Sequence, residues 1–219
     1  MSITLKIAVI SEVSAVNKNK AILEALEGYG HEVVNAGMKE SEGEPELTYI
    51  ETGFLGALLL NTKCVDYVVG GCGTGQGFIN SIMQYPNVFA GLIAEPLDAW
   101  LFAQINGGNC ISLALNKGYG WAGDINLIFI FEKFFSVEFG SGYPVHRKES
   151  QKKSRMILKD LSQSFHIPFE SIVEMVNKDI IEKALTFPGI MEIIDVKSLV
   201  DAGIKNALIK RCEELNLKY

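Results

Sequence analysis

Val65-Asp66-Tyr67-Val68-Val69-Gly70-Gly71-Cys72-Gly73-Thr74-Gly75-Gln76-Gly77-Phe78-Ile79-Asn80 joins an apolar run to a glycine-rich turn with one thiol inside it. Val65 to Val69 is short and β-branched, the pattern of a buried strand. Gly70 to Gly77 holds five glycines in eight residues, so several positions can take positive φ and bring backbone N–H groups close to a ligand. Phe78 to Met83 reads as the opening of a helix, whose N-terminus favours anions. The glycines at 71, 73, 75 and 77 alternate, which is not the Gly-x-Gly-x-x-Gly order, and no Lys-Ser/Thr pair follows to make a P-loop. A nucleotide site is therefore the weaker reading. A lone cysteine is often a small buried hydrophobe. Cys72, however, stands at a strand's C-terminal end beside a helix start, a setting that favours the reactive thiolate form.

Strand and helix patterns alternate around this joint. Leu5 to Ile10, Glu32 to Asn35, Val88 to Ala94 and Cys110 to Leu115 read as further strands. Asn17 to Gly28, Tyr49 to Asn61, Pro96 to Ile105 and Asp124 to Phe135 read as helices between them, Tyr49–Asn61 being nearly apolar all round towards its end. Such alternation predicts an α/β fold, a Rossmann-like doubly wound parallel sheet of five strands. Ligands gather at the C-terminal edge of such sheets, where Ser11, Glu12, Cys72, Glu95 and Asn116 would lie.

Near residue 136 the character changes. Phe139 to Pro144 reads as a linker, which divides the chain into a core domain over 1–140 and a helical C-terminal extension over 141–219. His146 to Arg155 is basic, with one His, two Arg and three Lys against a single Glu. It is either a solvated helix face or a phosphate clamp, with Arg147 placed first and Arg155 second. Short helices are expected over 156–164, 169–185 and 204–216, as an extension covering the site or a contact between copies.

Bulk properties narrow the classes. The chain has 219 residues, a net charge of −6 and 48% hydrophobic content, the composition of a packed globule. No basic stripe with interleaved aromatics suggests nucleic acid. No apolar run approaches the roughly 18 residues of a membrane span. The N-terminus has no secretory pattern, so cytoplasm is the expected location, and the four cysteines (64, 72, 110 and 212) are expected reduced. No ligand spacing supports a zinc site.

Gly71-Cys72-Gly73-Thr74-Gly75-Gln76-Gly77 resembles the Cys-Gly-Thr-Gly-x-Gly loop of the type B ribose-5-phosphate isomerase and galactose-6-phosphate isomerase family. Lys6 to Val9, Gly30 to Gly37, Ala94-Glu95-Pro96 and Asn106 to Asn109 agree with that family in order, and the resemblance covers roughly residues 5 to 140. It implies an aldose–ketose isomerase moving a proton between C1 and C2 of a sugar phosphate through an enediol, with no cofactor, as a homodimer. Cys72 would be the base, with Thr74 as its catalytic partner. Glu12, Tyr49, Asn106, Arg147 and the loop glycines Gly71, Gly73, Gly75 and Gly77 would bind substrate, the N–H groups of Gly73 to Gly77 stabilising the enediolate. The segment Ile128 to Phe135 is a plausible dimer contact.

Two departures bear on the substrate. The family carries Asp-His after its first strand, where this chain has Glu12-Val13, and a His where this chain has Ile105. Those histidines serve ring opening and phosphate binding, and neither Val nor Ile can move a proton. Either the substrate is acyclic, or another group opens the ring, or isomerase activity is lost. A tetrose 4-phosphate is an acyclic candidate, because its O4 carries the phosphate and cannot close a furanose. The competing classes are an isomerase of a non-phosphorylated sugar and a non-catalytic sugar-phosphate-binding module.

Overall fold

The computed structural model describes residues 4–219. Its centre is a five-stranded, all-parallel sheet of β1 (Lys6–Ile10), β2 (Glu32–Asn35), β3 (Tyr67–Cys72), β4 (Ala90–Ile93) and β5 (Cys110–Ala114), in the order β2-β1-β3-β5-β4. Apolar residues at consecutive positions suit strands covered on both faces. Ala8, Ile10 and Val68 point into one buried cluster, and Ile7, Val9, Tyr67 and Val69 into the other. The two-residue period of the strand thus divides one apolar run between two cores.

Helices fill both layers. α1 (Asn19–Leu26), α4 (Pro96–Leu101) and α5 (Gly123–Phe135) pack on the Ile7/Val9 face. α2 (Tyr49–Asn61) and α3 (Gln76–Ile82) pack on the Ala8/Ile10 face. α2 begins at a capping box. Thr48 Oγ1 accepts from Ile50 N at 3.2 Å, and Glu51 Oε2 accepts from Thr48 N at 2.8 Å. The helix expected over 96–105 is α-helical only to Leu101 and continues to Asn106 as a π-helical segment.

The C-terminal part is α6 (Lys148–Phe165), α7 (Phe169–Met175), α8 (Lys178–Thr186), α9 (Ile190–Ile194) and α10 (Ala202–Glu214). α6 starts eight residues earlier than its apolar pattern suggested. The helix expected over 169–185 is two, broken where the Asn177 side chain caps α8 by accepting from Asp179 N at 2.8 Å. Phe169, Val173, Ile181, Leu185 and Leu208 join the buried cluster of Phe54 and Leu58. The extension therefore covers the outer side of α2. No helix among the described residues is long and apolar enough to cross a membrane.

Candidate active site

The chain leaves β1 towards β2 on one side and returns to β3 on the other, so the order reverses between β1 and β3. The crevice beyond the C-terminal ends of these strands is where parallel sheets of this kind bind ligands. Ser11 to Ser14 follow β1 there, Cys72 ends β3, and Asn116 lies just beyond β5.

β3 extends three residues further than its β-branched run, through Gly70 and Gly71 to Cys72, so these two glycines belong to the strand and not to the turn. A Cβ on Gly70 would lie 2.1 Å from Phe78 Cζ, and one on Gly71 would lie 2.4 Å from the Leu113 carbonyl oxygen. The turn itself is Gly73 to Gly75. Gly75 takes φ +75° at the start of α3, a conformation that disfavours a side chain. It lets the chain double back, with Gly75 N donating to Cys72 O at 3.2 Å.

Cys72 Sγ is 3.9 Å from Thr74 Oγ1, and Thr74 Oγ1 accepts from Gln76 N at 3.3 Å. Cys72 is 6% exposed and Thr74 is open to solvent. Tyr49, the first residue of α2, lays its ring against Gly77, where a Cβ would come within 3.0 Å of Tyr49 Cδ1. Gly73 N donates to Ser14 Oγ at 3.1 Å, and Gly73 O accepts from Asn116 N at 2.9 Å and Lys117 N at 2.8 Å. The Gly73 amide, expected to face an enediolate, is thus engaged by the protein. The N–H groups of Thr74 and Gly77 meet no acceptor among the described residues. Glu12 is 2% exposed, and its two carboxylate oxygens accept from Ser14 Oγ and, at 3.1 Å, from Ser14 N. Ser14 was not legible from sequence as a site residue. Its signal is a serine two positions after a carboxylate at a strand's end, a spacing that closes local side-chain-to-backbone bonds.

Asn106 and Arg147 stand elsewhere. Asn106 lies four residues before β5, at the N-terminal edge of the sheet, whereas Cys72 pairs with Ala114 at the other end of β5. Asn106 lines a cavity of about 500 Å³ with Phe102, Lys152, Arg155, Met156 and Lys159. Arg155 uses its guanidinium on two carbonyls, Ile105 O at 2.8 Å and Gly140 O at 2.9 Å. Arg147 is exposed at the start of α6, and its Nε donates to Ser150 Oγ at 3.2 Å. A single chain therefore gathers Glu12, Tyr49, Cys72, Thr74 and the loop glycines, and keeps Asn106 away from them.

The chain is thus an α/β protein with a parallel sheet and a cysteine and a threonine in a glycine loop at the sheet's reversal point. Comparison with solved structures agrees. A 4-deoxy-L-threo-5-hexosulose-uronate ketol-isomerase, complexed with a tartrate, superposes with a TM-score of 0.90 at 34% identity, over 95% of this chain and 99% of that one. A ribose-5-phosphate isomerase from Vibrio parahaemolyticus gives 0.86 at 35%, over 98% and 99%. A ribose 5-phosphate isomerase from Thermotoga maritima, at 23% identity and a TM-score of 0.55, matches 68% of this chain and 98% of its own, a likeness of fold. No curated protein sequence matches. The ribose/galactose isomerase profile matches residues 7–153, and the chain belongs to that family.

Proposed function

We propose that the chain interconverts an aldose and a ketose by moving a proton between C1 and C2, with Cys72 as the base. The Cys72 thiolate takes the C2 proton from the open-chain aldehyde form. The C2–H electron pair becomes the C1=C2 double bond, and the aldehyde oxygen takes up the negative charge. The N–H groups of Thr74 and Gly77 are the free donors for that oxygen. Return of the proton to C1, with the O2 proton passed to O1 by way of Thr74, completes the ketose. The observation that carries this reading is the thiol at the end of β3 with Thr74 Oγ1 at 3.9 Å.

The substrate we propose is an acyclic sugar acid. Val13 and Ile105 occupy the places of the resembled family's ring-opening histidines. A 4-deoxy-5-hexosulose-uronate, as named for one of the similar structures, has no hydroxyl at C4 and a carbonyl at C5. Its aldehyde has neither an O4 nor an O5 hydroxyl to close upon, so it needs no ring-opening group. A tetrose 4-phosphate shares this property. Ribose 5-phosphate is the second reading, favoured by the likeness to the Vibrio enzyme.

We further propose a homodimer in which a second copy brings Asn106 and the basic start of α6, with Arg147, to the Cys72 loop. Support comes from Asn106 and Cys72 lying at opposite sheet edges of one chain. α6 buries no residue and shows Ile157, Leu158, Leu161 and Phe165 at helical spacing. Ile125, Ile128 and Phe129 of α5 are also exposed.

Two experiments test these readings. Deuterium exchange at C2, followed by NMR on the uronate, tetrose phosphates and ribose 5-phosphate, is expected with the uronate and lost in Cys72→Ala. Exchange with ribose 5-phosphate equal to that with the uronate would sink the acyclic assignment, and exchange retained in Cys72→Ala would sink the base. Mixing Cys72→Ala with Asn106→Ala chains is expected to restore about a quarter of wild-type activity, because half the dimers would carry one intact site of two. No restoration would place Asn106 outside a shared site.

A further inference from the structure

We propose that Glu12 and Ser14 are positioning residues that hold the peptide following the catalytic base, acting as a directed relay from a buried carboxylate through a hydroxyl to the Gly73 amide. A serine hydroxyl has one proton, and here it is given to Glu12 Oε1. Ser14 Oγ therefore faces Gly73 only as an acceptor, and Gly73 N–H, which can only donate, meets it at 3.1 Å. The carboxylate is itself fixed, because its second oxygen accepts from Ser14 N at 3.1 Å and the residue is 2% exposed. Asn116 closes the arrangement by donating from Nδ2 to Ser14 O at 2.7 Å and from its own N to Gly73 O at 2.9 Å. Cys72 O accepts from Leu115 N at 3.0 Å and Gly75 N at 3.2 Å. The loops after β1, β3 and β5 are thus tied together at the Cys72–Gly73 peptide, which directly follows the Cα that carries Sγ, and at the Gly73 carbonyl beyond it. With both oxygens on Ser14, Glu12 reaches the reacting centre through Ser14 and not by touching substrate. A base misplaced by about 1 Å loses on the order of 100-fold in rate, which is what such a tie would prevent.

The kinetic half of this proposal rests on the isomerase reading above, and the structural half does not. Amide exchange of Gly73, measured by NMR on the full-length labelled chain without substrate, is expected to be slow in wild type. It is expected to be about 10-fold or more faster in Ser14→Ala and in Glu12→Gln, and near wild type in Ser14→Thr, which keeps the hydroxyl. With whichever substrate is turned over, Ser14→Ala is expected to lower kcat by about 10- to 100-fold with KM changed by less than about threefold. Ser14→Thr is expected to recover most of that loss. The double variant Glu12→Gln/Ser14→Ala is expected to be no slower than Ser14→Ala alone. Equal exchange rates in wild type and Ser14→Ala would overturn the relay. Multiplying kcat losses, or a Glu12→Gln effect carried by KM, would overturn the positioning role and make Glu12 a direct substrate ligand. Should no substrate be turned over, the isomerase reading fails while the exchange rates still decide the relay.

Discussion

Gly70 is read from sequence as the first residue of a turn, yet it is a strand residue lying under the ring of Phe78. The glycine count announces a tight place without saying which glycines turn and which admit a neighbour. Only Gly75 of the loop takes positive φ. Gly70→Ala is expected to cost about 1–3 kcal/mol, because the added methyl meets the ring and neither β3 nor α3 can retreat from a packed core. Phe78→Leu in the same chain is expected to return part of that loss. Thermal unfolding of wild type and the two variants checks this, and an unshifted Gly70→Ala midpoint would show that the ring moves freely. The proximity of Cys72 and Thr74 at the end of β3 was legible, because they stand two residues apart in the glycine turn that follows the strand. Ser14 was not, because its role depends on an amide 59 residues away.

α2 shows what an element reveals about itself and what it leaves to its neighbours. Its bounds, Tyr49–Asn61, are those its pattern predicts. Thr48 and Glu51 supply the start signal. The same box has a pH signature. Burial pushes the Glu51 carboxyl up, but hydrogen bonds from the Thr48 hydroxyl and amide, with Lys183 Nζ at 3.6 Å, outweigh it and hold the carboxyl below its ordinary value. A depressed folded value means the contribution is present in full above the unfolded value of about 4.5 and fades as pH falls through the folded one. Wild type is therefore expected to melt higher than Glu51→Gln near neutral pH, and the gap is expected to close in acid. A gap that stays constant across that range would mean the carboxylate's charge does nothing there. The division of α7 from α8 was legible in principle, since Asn177 followed by Asp179 is a cap pattern. An apolar rhythm continuing across the break concealed it.

A doubly wound parallel sheet follows from the alternation of strands and helices, but the order of its strands and the destination of the C-terminal helices do not. A helix apolar on every side needs cover on its outer face as well as its inner one. Phe54, Leu55, Leu58 and Leu59 of α2 are wholly buried, and α7, α8 and α10 supply the outer cover through Phe169, Val173, Ile181, Leu185 and Leu208. The two similar structures that match over 95% and 98% of this chain share this whole length, whereas the Thermotoga structure matches 68% of it. The extension's apolar residues thus share one buried cluster with α2, β1 and β3. A chain ending before Pro168 is expected to expose the outer face of α2, to bind a hydrophobic dye and to associate or precipitate on release from denaturant. Ile181→Asp, which buries a charge against α2 in the full-length chain, is expected to lower the melting midpoint steeply without altering the Cys72 loop's own hydrogen bonds. A shortened chain that stayed monodisperse, with the full-length midpoint, would show that β1–β5 and α1–α5 close their own core and that the extension serves another purpose.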